Sequence, residues 1–161
     1  MRKYPGLIIL ALLAGCSKAP VEITHYTIEQ FFDNLSIGGG SFSADETKLL
    51  VSSNQTGIYN VFAIQVDGSG EQQLTFSDSS SIFAISYFPE DDRFLYSSDQ
   101  GGNEIDHIYM QEPGGTVTDL TPWEGVKSQF ADWTRDFKYF YFTSNRRDPR
   151  FFDMYRMDIG T

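Results

Sequence analysis

From residue 37 onward, apolar and polar positions alternate in short runs, broken every few residues by glycine, asparagine, aspartate, serine or proline. A period of two places successive side chains on opposite faces of a strand, and such punctuation marks the turns between strands. One stretch departs from this pattern. Thr27-Ile28-Glu29-Gln30 has the spacing of a helix capping box and predicts a single short helical turn through Phe32.

Laid against itself, the chain repeats. Phe42-Ser43-Ala44-Asp45 precedes the apolar run 48–54, and 45 residues later Tyr87-Phe88-Pro89-Glu90 precedes the run 93–99. A further 46 residues on, Trp133-Thr134-Arg135-Asp136 precedes the run 139–145. Each unit continues through a polar turn into a second aromatic strand, at 59–66, 106–111 and 152–157. The first two units close on Gln72-Gln73-Leu74-Thr75 and Thr118-Asp119-Leu120-Thr121, whereas the third reaches Ile159-Gly160-Thr161 where its closing strand is expected to begin. Four short strands per period of this length are the mark of a β-propeller blade. Asp67-Gly68, Gln100-Gly101-Gly102-Asn103 and Pro113-Gly114-Gly115 supply turn residues that tolerate positive φ. A three-hairpin sandwich is the structural alternative, but it does not require a repeat. The fold class expected is therefore all-β: a partial β-propeller of about three WD40-like, four-stranded blades, the last incomplete, at about 37–76, 82–122 and 128–161. Propellers close with about four to eight blades, so the sequence reads as a segment of a longer protein. One face of the third blade, carrying Phe140, Phe142 or their neighbours, is expected to stay exposed.

The beginning of the chain reads as an address. Arg2 and Lys3 precede an uninterrupted run of small and apolar residues from Gly6 to Ala14, too short for the roughly 20 residues that span a membrane. Its ending, Leu13-Ala14-Gly15-Cys16, resembles the lipobox of bacterial lipoproteins. The resemblance implies a signal peptide over 1–15, a lipid on the Cys16 thiol as the new N-terminus, and a lipidated tether over 16–26 leading to the propeller over 27–161. An ordinary signal peptide with an incidental cysteine is the alternative. Cys16 is the only cysteine, so no intramolecular disulfide is possible. Ser17 follows it where lipoproteins retained at the inner membrane typically carry aspartate. By that family rule the protein is expected in the cell envelope, at the outer membrane facing the periplasm.

Charge narrows the partners. Removing Arg2 and Lys3 with the leader leaves 10 basic against 22 acidic side chains, a net charge of −12. Phosphate backbones repel such a chain, so nucleic acid is excluded as an expected partner. Aromatic residues make up 16%, too many for a disordered acidic tail.

Candidate chemistry is sparse. His25 and His107 are the only histidines, and neither stands near a nucleophile–carboxylate pattern or a set of zinc ligands. His107 falls at the strand start that Asn60 occupies in the first repeat and reads as a surface or strand-edge residue. Asp99-Gln100-Gly101-Gly102-Asn103-Glu104 lacks the alternating acids of a calcium loop and reads as a turn. No metal, cofactor or catalytic residue is expected. Arg146, Arg147 and Arg150 flank Asp148-Pro149 in the loop of the third repeat, where guanidinium forks could hold a ligand carboxylate or pair internally with Asp148 or Asp153. They are the best local candidates for ligand contact. Tyr87, Phe88, Trp133, Phe140 and Phe142 recur at equivalent repeat positions, as blade-to-blade packing requires, and read as core.

Four stretches go beyond generic blade patterning: 26–31, 84–89, 98–104 and 145–153. Together they resemble the N-terminal propeller of bacterial prolyl oligopeptidase family serine peptidases. The resemblance implies a propeller that gates short peptides toward an α/β-hydrolase domain with a Ser-Asp-His triad, a domain this sequence does not contain. No Gly-x-Ser-x-Gly elbow occurs, since Ser41 and Ser69 lie in strand and turn segments of the first repeat. The alternative is a scaffold with WD40-like repeats, similar to the periplasmic propeller of the Tol system. The partners expected are the membrane, through the lipid, and either peptide substrates or a hydrolase domain.

Overall fold

The repeat builds three antiparallel sheets in a computed structural model that describes residues 23–160. The first sheet runs in order through β1 (Ile37–Phe42), β2 (Lys48–Ser53), β3 (Asn60–Gln65) and β4 (Glu71–Gln73). The second repeats it with β5 (Ile82–Tyr87), β6 (Phe94–Ser98), β7 (His107–Gln111) and β8 (Val117–Asp119). The third holds β9 (Ser128–Trp133), β10 (Tyr139–Asp148) and β11 (Phe151–Asp158), with β11 at its edge. This is the expected all-β, partial propeller with its last blade incomplete among the described residues. The described residues up to Asn34 belong to a separate unit. Its described part holds the predicted helix α1 (Ile28–Phe32), where Thr27 and Gln30 complete the capping box. The leader and Cys16 lie outside the described residues.

The blades pack because each sheet is apolar on both faces. Pairing registers fix the equivalence: Ser53 faces Asn60, Ser98 faces His107, and Ser144 faces Asp153. Leu50 and Val61 of the first blade are fully buried with Tyr87, Phe94 and Tyr96 of the second. One repeat later, Leu95 and Ile108 are buried with Phe140 and Phe142 of the third. Burial raises the Tyr87 and Tyr96 hydroxyls to about 12, so both stay neutral. The aromatics read as core in the sequence are core. In the third blade Phe140 and Phe142 are 0% and 3% exposed and face inward, which selects the second of the two arrangements expected for this blade. Its open face carries their neighbours: Tyr141 and Met154, the equivalents of Leu50 and Val61, are 40% and 59% exposed, and Phe152 is 50% exposed.

The innermost strands are joined by side-chain hydroxyls. Ser41 Oγ accepts the Tyr87 amide at 3.0 Å, and its equivalent Ser86 accepts Trp133 Nε1 at 3.0 Å. Ser52 Oγ accepts the Ala84 amide at 2.8 Å. Gly39 takes φ +79°, and a Cβ on it would stand in ordinary van der Waals contact, 3.6 Å from the Ala84 carbonyl oxygen. Gly39 therefore supplies the positive φ at the irregularity in this innermost strand between Gly38 and Ser41.

The closing strands of the first two blades are only three residues long and are fastened by a threonine. Leu74 N donates to Val61 O at 2.8 Å, while Val61 N donates to Thr75 Oγ1 at 2.8 Å. Thr75 Oγ1 in turn donates to Asn60 Oδ1 at 3.0 Å, and Asn60 is fully buried with its amide spent on Ser77 O and Thr56 Oγ1. The second blade repeats the arrangement through Leu120 N to Ile108 O and Ile108 N to Thr121 Oγ1, both 2.9 Å.

The turn between the first two strands of each blade is organised by a carboxylate. Asp45 Oδ1 accepts from Ser43 Oγ at 2.6 Å, Thr47 Oγ1 at 2.8 Å and Thr47 N at 3.1 Å, which lowers its pKa to about 2. Asp136 repeats this with Thr134 Oγ1 at 2.7 Å and Lys138 N, and its pKa is lowered for the same reason. In the second blade the Arg93 fork holds Asp91 and lowers its pKa.

Two outcomes follow from these contacts. Ile108→Ala is expected to cost roughly 2–5 kcal/mol, whereas Met154→Ala, one repeat later, is expected to stay within about 0.5 kcal/mol of wild type. Urea unfolding of both variants checks this, and an equal loss would show that the Met154 face is covered. Because the Asp45 pKa is depressed in the fold, its stabilisation is present above the unfolded value near 4 and is lost as pH falls through about 2. Urea midpoints of wild type and Asp45→Asn are therefore expected to differ at pH 7 and to converge as pH drops from 4 to 2.

Candidate functional site

The loops that join second to third strands share one rim with the connectors between blades. In the first connector, Ser77 Oγ donates to Ser80 O at 2.6 Å, and Ser80 Oγ accepts the Gly101 amide at 3.0 Å. Lys127, in the second connector, forms an ion pair with Asp106 at 2.8 Å and donates to Glu104 O at 2.9 Å. These segments, with Phe83 of β5, enclose an open cavity of about 420 Å³ lined also by Ser79, Ser81 and Asp99. Its only cation among the described lining residues is the paired Lys127, so its free chemistry is hydroxyl and carboxylate. Of this lining the sequence had marked only the 99–104 turn. The Ser77-Asp78-Ser79-Ser80-Ser81 run that faces it is indistinguishable from an ordinary polar connector.

The arginine candidates lie along the same rim, and two sit in a strand rather than a loop. The β10–β11 ladder resumes at Asp148 and Phe151 after a shift beyond Ser144, which carries Arg146 and Arg147 into β10. Arg147 grips Asp153 through Nε at 2.6 Å and Nη2 at 2.9 Å. Arg150 grips Asp148 through Nε at 3.0 Å and Nη2 at 2.7 Å. Each fork lowers its partner carboxyl's pKa and raises its own, as bidentate pairing requires. Arg146 lies 3.9 Å over the Trp123 ring, which itself stacks on Phe142. The three arginines are thus brought together along one hairpin, two of them with their forks closed on the protein's own acids.

His107 is more buried than its sequence position implied, at 9% exposed. It begins β7, and its Nδ1 lies 2.8 Å from Asp119 Oδ2. Asp119 Oδ1 also accepts the Thr121 amide at 2.8 Å, so the pair ties β7 to the closing strand, where the first blade uses Asn60. A cavity of about 470 Å³ opens beside it, lined by Gln100, Asn103 and Glu124 among others. No hydrogen bond joins a serine hydroxyl to a histidine among the described residues. The 99–104 segment is the turn expected: Asp99 Oδ2 accepts the Glu104 amide and Asn103 Oδ1 accepts the Ile105 amide. No group of three or more metal-ligating side chains occurs among the described residues.

No protein-family model matches the sequence, and no curated protein matches it. Solved structures do. TolB from Acinetobacter baumannii matches with a TM-score of 0.63 at 21% identity, over 79% of this chain and 31% of that one. A protein assigned as TolB from Agrobacterium tumefaciens matches with a TM-score of 0.61 at 20% identity, over 74% of this chain and 42% of that one. The chain thus spans less than half the length of either, and the likeness is one of fold: a partial propeller similar to part of the TolB structures.

Proposed function

We propose that this chain is the non-catalytic propeller segment of an exported, lipid-anchored protein and that it serves as a binding scaffold, in the manner of Tol-type propellers. The observation that carries this reading is the TolB-like run of two-faced sheets, with its polar side chains spent on strand closure and loop structure. His107 is tied to Asp119, and Arg147 and Arg150 are tied to their own carboxylates. Such a rim binds by shape and by exposed backbone and hydroxyl groups. Export and anchoring rest on the lipobox-like Leu13-Ala14-Gly15-Cys16, with the outer membrane as the destination and the periplasm as the compartment faced.

A second reading is favoured by the four stretches at 26–31, 84–89, 98–104 and 145–153. In it the blades belong to a prolyl oligopeptidase family peptidase and gate peptides toward a hydrolase domain. The coding sequence beyond Thr161 separates the two. Further blades support the scaffold, and a strand–helix unit bearing a Gly-x-Ser-x-Gly elbow supports the peptidase.

Metabolic labelling with a radioactive fatty acid is expected to mark the wild-type chain and to miss Cys16→Ser; equal label in both overturns the anchor. A fluorophosphonate probe, which reacts with activated serines, is expected to leave the purified chain unlabelled. Stoichiometric modification of one serine would sink the non-catalytic reading.

A further inference from the structure

The first two blades fill one position with different chemistry. Asn60 and His107 each begin a third strand, facing Ser53 and Ser98. Asn60 is fully spent: its Oδ1 accepts Thr75 Oγ1 at 3.0 Å and the Ser77 amide at 2.8 Å, and its Nδ2 donates to Ser77 O and Thr56 Oγ1. Two of those four bonds come from Ser77, in the connector that leaves the blade. In the second blade the connector turns on itself instead. Trp123, two residues past the closing threonine as Ser77 is, donates its amide to Thr121 O at 2.8 Å. Val126 N then closes on Trp123 O at 3.1 Å, with Gly125 at φ +70°. The cavity of about 470 Å³ stands beside His107, and its lining residues all fall between 100 and 125. They belong to the second sheet and its connector, and that sheet has a neighbour on each face.

His107 makes one side-chain hydrogen bond where Asn60 makes four. Its Nδ1 meets Asp119 Oδ2 at 2.8 Å. A carboxylate only accepts, so this nitrogen carries the proton, and in the neutral ring Nε2 is a bare acceptor. Nε2 has no hydrogen-bond partner among the described residues, yet none of their sealed side-chain nitrogens or oxygens lacks one. It is therefore open, although His107 as a whole is 9% exposed, and the cavity that His107 lines is what it opens on. The ring is held in place by stacking on Tyr109, with centroids 6.2 Å apart. Asp119 and Glu124 share the lining, no lysine or arginine does, and the Glu124 carboxylate has no hydrogen bond or ion pair with a described residue. We propose that this cavity binds a primary ammonium group, whose N–H donors reach His107 Nε2 and the Glu124 carboxylate. An anion is opposed by the two carboxylates, and a neutral hydroxyl leaves their charge unbalanced. A metal ion lacks a ligand set, since no group of three metal-ligating side chains occurs among the described residues. An ammonium supplies three donors on a compact head, while Ile105 and Pro122 offer apolar contact to the chain that bears it. The inference rests on the geometry of the second blade alone and stands under either reading of the parent protein.

The isotope-labelled full chain, purified in an uncharged detergent, is titrated with n-butylammonium while NMR follows the histidine ring nitrogens. The pH is held at about 8, where an ordinary imidazole is neutral. His107 is expected to carry its proton on Nδ1, and its Nε2 resonance to shift saturably with the amine. His25, the other histidine, is the internal control and is expected not to move. Butyltrimethylammonium has the same charge but no N–H, and is expected to bind about tenfold more weakly, the effect of losing a hydrogen bond from a charged donor. Glu124→Gln, at an exposed position, is expected to weaken n-butylammonium by about threefold or more. Nα-acetyl-lysine amide presents the same group on a peptide backbone. Tighter binding of that probe assigns the site to a lysine of a protein partner, and tighter binding of n-butylammonium to a free amine; both support the site. A proton on Nε2, the absence of a saturable shift, equal binding of butyltrimethylammonium, or wild-type affinity in Glu124→Gln overturns the proposal.

Discussion

Every sheet in this chain is apolar on both faces, and that constraint governs the rest. A sheet with one dry and one wet face can stand on a single neighbour. A sheet such as the second, with Phe94 and Tyr96 on one side and Leu95 and Ile108 on the other, needs a neighbour on each side. The chain meets this need by repetition, laying aliphatic side chains of one blade against aromatics of the next. The aromatic share of the composition is a consequence of that geometry, since each seam takes several rings, and pairs such as Phe140 with Phe142 and Tyr96 with Tyr109 sit within about 6 Å of each other. Polar groups are confined to the places the seams leave over: hydroxyls between inner strands, carboxylates in turns, and the threonine latches.

The repeat made much of this legible. Apolar runs at 48–54, 93–99 and 139–145 contain β2, β6 and the first part of β10, the second runs contain β3 and β7, and the last of them, 152–157, lies within β11. Period-two patterning carries that information because burial alternates with it. Which face of the third blade stays open was less legible, because Phe140 and Tyr141 differ little as residues and only the register tells them apart. The length of β10 was also hidden. Asn145 to Asp148 have loop composition, yet the hairpin continues through them, with Arg147 paired across it to Asp153.

Long-range hydrogen bonds were the least visible layer. Nothing local distinguishes Ser41 and Ser86 from the many serines around them, yet each caps an inter-blade contact. Thr75 and Thr121 were recognised as closing residues, but their bond to the amide of Val61 or Ile108 joins positions more than a dozen residues apart. The arginine cluster was visible as a motif, and its internal pairing was one of the two readings that the adjacent aspartates allowed. Only the geometry shows the forks of Arg147 and Arg150 closed on those aspartates.

The meander order of the sheets has a kinetic side. Each strand pairs with the one just before or after it in sequence, across a tight turn, so an individual blade assembles from local contacts and closes few long loops. Slow steps are then left to the docking of one finished blade on another. A chain emerging residue by residue during synthesis can complete its first blade while the third is still unfolded, with no strand waiting for a distant partner.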